Sequence, residues 1–149
     1  PADCQLVHSP LRRCRQLARA LQALRPGLAS AADSRLLEMD FGEWEGQPWD
    51  ALDRGAIDAW AADLAGHAPG RGESLATMLR RVDEALQQAS RGSVGDGAAR
   101  DTVWITHAGV ARCVQWLMRE GSALPQAAQW TLPAPDFGGW LVLDLPLPR

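Results

Sequence analysis

Residues 102–110 hold the feature that most constrains the fold, a short apolar strand that ends in a histidine and runs directly into a helix. The run TVWIT is typical of a buried strand, and the small residues Ala108 and Gly109 after His107 open a helix. In open α/β sheets, anions bind at such strand ends, beside the free N–H groups and positive dipole end of the helix. The segment therefore predicts an α/β fold with His107 at an anion site. From this segment alone, a histidine hydrogen-bonded to a loop is an equally good interpretation.

A second turn of the same kind follows the predicted strand 5–8, where Ser9-Pro10 indicates a helix N-cap and first position. Apolar residues at three- and four-residue intervals over 11–24 predict one buried stripe, and Arg25-Pro26-Gly27 ends the helix. The first turn of this helix supplies arginines, whose planar fork suits phosphate. Arg13 is expected to point along the strand ends while Arg12 and Arg15 face water. A solvated helix face is the alternative interpretation for any one of them.

The rest of the chain continues the alternation of strands and helices. The pattern predicts a strand at 34–37, a structured loop at 41–46, short helices at 48–52 and 56–64, a turn at 69–72, a long helix from Leu75, a mobile loop at 90–100, a helix at 109–119 and strands at 129–132 and 139–145. This alternation predicts a three-layer α/β/α domain with a mostly parallel sheet.

Composition narrows the function classes. The 149 residues suit one domain, and the 15 basic residues, all arginine, are dispersed in a chain of net charge -3, which argues against a nucleic-acid surface. No apolar run is long enough to predict a membrane span. Three widely spaced cysteines form no C-x-x-C pair, so we expect neither a metal site nor a disulfide framework, no cofactor, and a cytoplasmic location. A small anionic ligand held by a few arginines remains compatible.

Glu38 is a candidate proton donor. It ends the predicted strand at 34–37, just before a glycine-containing loop that carries Phe41 and Trp44. A carboxyl group in such a partly apolar setting, near an arginine, could hold or release a proton near neutrality. Four other acids are also available and are not ranked by the sequence: Asp40, Glu43, Glu45 and Glu73. Glu73 opens a helix, where a carboxylate is stabilised by the dipole, so a structural role is the stronger interpretation for it.

Four segments, in order along the chain, resemble the motifs of the histidine phosphatase superfamily, which has the phosphoglycerate-mutase-like fold. Residues 9–18 resemble S-x-L-x-R-[AC]-x-x-T-A, with Leu17 in place of threonine. Residues 37–46 resemble the E-x-x-F-G-x-W-E-G signature of the phosphatase branch, 72–75 resemble G-E-S-[LF], and 106–110 resemble [TS]-H-x-G-V. Each motif alone is weak, but the ordered set, spanning roughly residues 5–145, is specific.

The resemblance implies site roles. It implies that Arg13 binds the phosphoryl oxygens, that His107, with Ala108 beside it, steadies the transferring group, and that Glu38 protonates the leaving oxygen. It further implies a small phosphorylated metabolite as substrate and a cap at residues 47–72. The candidates for shaping the substrate are Ser9, Trp44, Trp49, Arg71 and Glu73. The loop motif favours hydrolysis over mutase activity and is most similar to the α-ribazole phosphatases of cobalamin synthesis, although broad-specificity phosphatases share much of it.

One departure from the family is large. The family begins with a central strand ending in R-H-G, whose histidine becomes phosphohistidine, and no R-H-G occurs here. We expect a domain over 1–149 that lacks its first central strand, through an upstream start, a truncated gene product or a degenerate site. Residues 1–149 alone are expected to be inactive and poorly stable. A phosphatase, a non-catalytic phosphate-binding module and a mutase remain as function hypotheses, with oligomeric state open.

Overall fold

A computed structural model describes residues 4–92 and 101–145 of the chain. The regular elements are β1 (Cys4–His8), α1 (Arg12–Leu24), β2 (Ser30–Ala32), α2 (Arg54–Ala62), α3 (Leu75–Gly92), β3 (Asp101–Ile105) and α4 (Ala108–Glu120). Single 3-10 turns lie at Ser34–Leu36, Gly42–Trp44, Trp49–Ala51, Pro69–Arg71 and Ala127–Gln129.

The three strands form one parallel sheet in the order β2-β1-β3. The central strand pairs with β3 in the register Leu6↔Val103 and His8↔Ile105, and Ser9 N–H extends the ladder to Ile105 O at 2.9 Å. Because both pairs are parallel, the carboxyl ends of β1 and β3 meet at one edge. That edge receives the N-termini of α1 and α4, which carry Arg13 and His107.

Helices cover both faces of the sheet. Successive side chains of a strand point to opposite faces, so each strand contributes residues to both cores. Leu6 and Ile105 pack against Cys14 and Ala18 of α1 on one side. On the other side, Val7 and Trp104 join a larger core built from α3, α4 and the segment 36–39. This arrangement confirms the predicted α/β/α class.

The largest core lies between α3 and α4. Met78 and Val82 of α3 and Val110 and Cys113 of α4 are fully or almost fully buried, as the i, i+3, i+4 spacing predicts. Within residues 4–92 and 101–145, none of the helices has the length and apolarity that crossing a bilayer requires.

The start of α1 and its apolar stripe differ from the prediction. The helix begins at Arg12, with Leu11 rather than Ser9 at the N-cap, because Ser9 continues the β-ladder and its hydroxyl binds His107 and the N–H of Leu11, before the helix starts. Leu17 and Leu24 are exposed, by 48% and 81%. The three-stranded sheet covers only the part of α1 around Cys14 and Ala18, so the predicted stripe is wider than the buried one.

The second strand lies earlier than predicted. It spans Ser30–Ala32, and the predicted strand at 34–37 is a 3-10 turn over Ser34–Leu36. Asp33 causes the change, since its carboxylate accepts the N–H of Arg35 at 2.8 Å and also binds the Arg35 guanidinium. Such local side-chain bonds divert the backbone from the sheet.

The two strands predicted near the C-terminus are wrong for this structure. Residues 127–129 form a 3-10 turn, and 139–145 have no regular structure. Their alternating apolar residues suit a strand. However, extended backbone forms a strand only when it is hydrogen-bonded to a neighbouring strand. The sheet within the described residues consists of β1, β2 and β3. Of the loop predicted at 90–100, residues 90–92 belong to α3 and 93–100 lie outside the described residues.

Candidate active site at the carboxyl edge of the sheet

His107 lies at the end of β3 and is held from two sides. Arg13 donates from Nε and Nη2 to Nδ1 of His107, at 3.2 and 2.9 Å. Because a guanidinium can only donate, Nδ1 acts as acceptor and the proton of the neutral imidazole is on Nε2. That Nε2–H donates to the hydroxyl of Ser9 at 2.9 Å, and Ser9 is fully buried. Ser9 therefore fixes the orientation of the imidazole ring through Nε2.

The surroundings of His107 favour its neutral form. Burial lowers the pKa of His107 below its usual value, and the positive charge of Arg13 lowers it further, with a smaller contribution of the same sign from Arg81. The negative charge of Glu38 acts in the opposite direction. The imidazole thus sits in a positive environment, which is what an anion-binding site requires.

Glu38 lies against the N-terminus of α4. Its Oε2 accepts the N–H of Gly109 at 3.2 Å, and its Oε1 accepts the N–H of Met39, the next residue in the chain, at 3.0 Å. A carboxylate at this position is stabilised by the free amides and dipole of the helix. Ala108, exposed in the first turn of α4, separates His107 from Gly109. The structure thus brings Arg13, His107 and Glu38, the three main residues of the sequence prediction, to one edge.

Arg81 is a residue that the sequence analysis missed. From the middle of α3 it forms a two-pronged ion pair with Glu73, at 2.7 Å for both contacts. It also donates to the carbonyls of Arg35 and Leu37, at 2.7 and 2.8 Å, and to that of Glu38 at 3.3 Å. Glu73 was expected to be structural or to shape the substrate, and here its carboxylate neutralises this arginine. A partial signal was present in the sequence, because Arg81 follows Met78 by three residues at the flank of the apolar stripe.

Two loops meet backbone to backbone beside Glu38. A Cβ at Gly70 would overlap the carbonyl of Phe41, and one at Gly72 would overlap the carbonyl of Asp40. The N–H of Glu73 donates to that same Asp40 carbonyl at 2.7 Å. Glycine is therefore required where the segment 40–44 crosses the segment 70–73, which joins two of the motifs noted in the sequence.

Two of the remaining candidates, Trp44 and Trp49, belong to an aromatic cluster, which we define as the rings of Phe41, Trp44, Trp49 and Trp60. Trp49 and Trp60 are stacked with an interplanar angle of 14° and a centroid separation of 6.3 Å, and the other two rings contact them edge-on. Trp49 is 59% exposed. Arg71 has a positive φ of 61° and forms an exposed ion pair with Glu43, so it contributes little to stability.

An open cleft of about 540 Å³ adjoins these groups. Its walls include Glu38, Asp40, Glu73, Thr77 and Arg81 as well as apolar and small residues, and it extends to the start of α3. Among residues 4–92 and 101–145, no three His, Cys, Asp or Glu side chains are grouped closely enough to hold a metal ion. Of the three main site residues, Glu38 lines this cleft, whereas Arg13 and His107 lie outside its walls.

The fold and the site define a class, an open α/β domain with arginine and histidine at the carboxyl edge of a parallel sheet. The chain belongs to the histidine phosphatase superfamily (branch 1), whose family model matches residues 2–143. No curated protein matches the sequence significantly.

Several solved structures are similar. A mycobacterial glucosyl-3-phosphoglycerate phosphatase with bound inorganic phosphate has 30% sequence identity and a TM-score of 0.65, with 88% of this chain and 64% of that protein covered. YhfR of Bacillus stearothermophilus has 27% identity and a TM-score of 0.69, with 88% and 62% covered. The α-ribazole phosphatase of Shigella flexneri, at 22% identity, a TM-score of 0.69 and coverage of 89% and 62%, is similar in fold. The chain thus spans less than two thirds of the length of these relatives.

Proposed function

We propose that this chain forms the phosphate-binding and acid-donating part of a phosphomonoester hydrolase that works through a phosphohistidine. The observation that carries the proposal is the hydrogen-bonded pair of Arg13 and His107 at the carboxyl ends of β1 and β3, with Glu38 bonded to the backbone of α4 at Gly109. The similar glucosyl-3-phosphoglycerate phosphatase was solved with inorganic phosphate and, separately, with VO3. Both ligands are small oxyanions of the kind that this group suits.

Each residue has a distinct task in the proposed reaction. A phosphate ester replaces His107 as the partner of the Arg13 guanidinium, whose fork binds two phosphoryl oxygens. Once Nδ1 of His107 is released from Arg13, it takes up a proton from solvent and donates a hydrogen bond to a third oxygen, which stabilises the charge that develops during transfer. Glu38, when protonated, gives its proton to the leaving oxygen, and as a carboxylate it then takes a proton from the water that hydrolyses the phosphohistidine.

The nucleophile of this scheme is the R-H-G histidine of the family, which has no counterpart among the 149 residues. Covalent catalysis needs such a group, because an arginine is not a nucleophile and a His107 ring that donates to the phosphoryl group stabilises that group without accepting it. The proposed activity therefore belongs to a polypeptide that carries these residues together with an R-H-G segment.

The test uses that full-length polypeptide and measures phosphate release from a panel of phosphomonoesters. Arg13→Ala should lower kcat/KM by about 10²- to 10³-fold, because it removes one charged donor from the transition state. Arg15→Ala is the matched control, since Arg15 lies on the same helix turn and is exposed. Equal effects of the two substitutions, or no phosphate release from any ester, would contradict the proposal.

A non-catalytic phosphate-binding module is the second candidate, and the observation that favours it is the Arg13–His107 pair, which can bind an oxyanion without a nucleophile. Such a module binds inorganic phosphate in an Arg13-dependent way but releases none from esters, so a titration followed by ³¹P NMR separates the two functions. A mutase, the third candidate, would move phosphate between positions of 3-phosphoglycerate without releasing it.

Residues 47–72, which carry Trp49 and Trp60 of the aromatic cluster, are proposed as the cap that selects the substrate. An α-ribazole 5′-phosphate and a glucosyl-3-phosphoglycerate are the two substrates to place first in the panel, the former from the loop motif and the latter from the relative at 30% identity.

Cys4, Cys14 and Cys113 are free thiols, which supports the proposal of a cytoplasmic location.

A further inference from the structure

Glu38 can protonate a leaving group only if its backbone and its carboxylate are both held in place. The carboxylate is held by the amides of Met39 and Gly109. The backbone around Glu38 leaves the sheet after β2 and lies in a 3-10 turn followed by irregular chain, so no β-ladder fixes it. A different set of contacts must therefore hold the segment 35–38.

Arg81 supplies those contacts. Its Nη1 donates to the carbonyls of Arg35 and Leu37, and its Nη2 donates to that of Glu38, so one guanidinium binds three carbonyls within four residues. Thr106, immediately before His107, adds a bond from its hydroxyl to Leu36 O at 2.8 Å. The segment that bears Glu38 is thereby bonded to α3 through Arg81 and to the end of β3 through Thr106, the residue before His107.

Glu73 completes the arrangement. The side chains of Arg81 and Glu73 are only 18% and 14% exposed, and a charge so buried is expensive unless it is paired. The two-pronged pair orients the guanidinium plane, which aims the remaining N–H groups at the carbonyls. The N–H of Glu73 also donates to the carbonyl of Asp40. Arg81 and Glu73 therefore bind the backbone before and after Glu38, respectively.

From this geometry we infer that Arg81, oriented by Glu73, is a positioning residue that sets Glu38 for proton donation. The inference rests on the proposed function. It predicts a specific defect, a loss of acid catalysis without a loss of phosphate binding, because the described hydrogen bonds of the Arg81 side chain go to Glu73 and to the carbonyls of residues 35–38, and a lysine in its place keeps the positive charge.

The experiment compares two substrates of the full-length enzyme. The leaving group of p-nitrophenyl phosphate departs without a proton, whereas that of an alkyl phosphate such as glycerol 2-phosphate requires one. In Arg81→Lys the ammonium keeps the charge opposite Glu73 but lacks the planar fork that reaches the carbonyls as well. We expect kcat for the alkyl phosphate to fall about tenfold or more beyond any change for the nitrophenyl ester. The inhibition constant of inorganic phosphate should stay unchanged.

Arg80→Lys is the matched control, because Arg80 is the adjacent residue of α3, is exposed and bonds only Thr77 in the described structure. If Arg81→Lys does not fold, the double variant Glu73→Gln with Arg81→Gln removes both buried charges together and should show the same selective loss. A loss of equal size for both substrates, or no loss, would overturn the inference and leave the proposed function standing. Failure of the wild-type enzyme to hydrolyse either ester would instead refute the proposed function, and this inference with it.

Discussion

Gly109 and Glu38 are in direct contact, and the contact depends on the absence of a side chain at residue 109. A Cβ built on Gly109 would overlap Oε1 of Glu38 and lie 3.1 Å from the methyl carbon of Met78. The glycine N–H meanwhile donates to Oε2 of the same carboxylate. The glycine of the T-H-A-G-V segment is thus explained by the space that the Glu38 carboxylate occupies above the first turn of α4.

Substitution of Gly109 by alanine should therefore displace Glu38. Alanine is favoured over glycine within a helix by about 1 kcal/mol, which offsets the cost of displacing Glu38. The melting temperature should therefore change little. Turnover of an alkyl phosphate by the full-length enzyme should nevertheless fall by about 10²-fold, the usual size of a general-acid contribution.

Gly27→Ala provides the control for Gly109→Ala. Gly27 lies in the turn after α1, at the opposite end of that helix from Arg13, and nothing lies within 4 Å of an added Cβ. It should leave turnover unchanged. Similar turnover in Gly109→Ala and Gly27→Ala would show that Glu38 is not held in the way described.

Gly70 should be far less tolerant of a side chain than Gly46. Both have positive φ, 57° and 72°, so either alanine variant carries a left-handed backbone cost of about 1 kcal/mol. An added Cβ at Gly70 also meets the backbone of Phe41, Glu43 and Trp44, whereas nothing lies within 4 Å of one at Gly46. Urea unfolding should show Gly70→Ala to be less stable than Gly46→Ala by about 1–3 kcal/mol, the usual cost of overpacking. Equal stabilities would mean that the two loops separate without cost.

The cysteines should differ widely in reactivity. Burial raises the pKa of Cys113 to about 12, and burial also raises the pKa of Cys14, partly offset by Arg13. The thiolate is the reactive form, so an aromatic disulfide reagent near neutral pH should modify half-exposed Cys4 first. Mass spectrometry of each peptide, with and without urea, measures the order. Labelling of Cys113 in the native protein at the rate of Cys4 would contradict the packing of α4.

The sequence predicted the parts of the fold that have a clear period. The apolar stripes of α3 and α4 and the strand before His107 lie within a few residues of their predicted bounds, because packing between layers reinforces the local preference. Segment 30–37 was misassigned because one carboxylate, that of Asp33, decides where the strand stops. The strands expected after residue 128 depend on pairing partners, which periodicity alone cannot supply.

The site was predictable where a residue follows a strand end. Arg13 and His107 follow β1 and β3, and Glu38 precedes the glycine loop, so their types and places were apparent. Arg81 was not, because it lies 43 residues from Glu38 in a helix with other arginines, where a solvated position is the normal expectation. Only the tertiary contact separates it from exposed Arg80.

Stability should depend on pH through His107. Its pKa in the folded protein lies below the usual 6.5, because of burial first and Arg13 second, with Arg81 adding to and Glu38 opposing the shift. As pH falls below about 6.5, the unfolded chain takes up a proton at this residue before the folded one does, so the folded state loses stability until the folded pKa is passed. Above pH 6.5 this contribution to stability is fully present. Urea unfolding between pH 5 and 8, roughly the range in which histidine titrates, should show this slope in the wild type and a reduced slope in His107→Gln. A slope unchanged by His107→Gln would mean that the Arg13–His107 contact does not hold the imidazole neutral in solution.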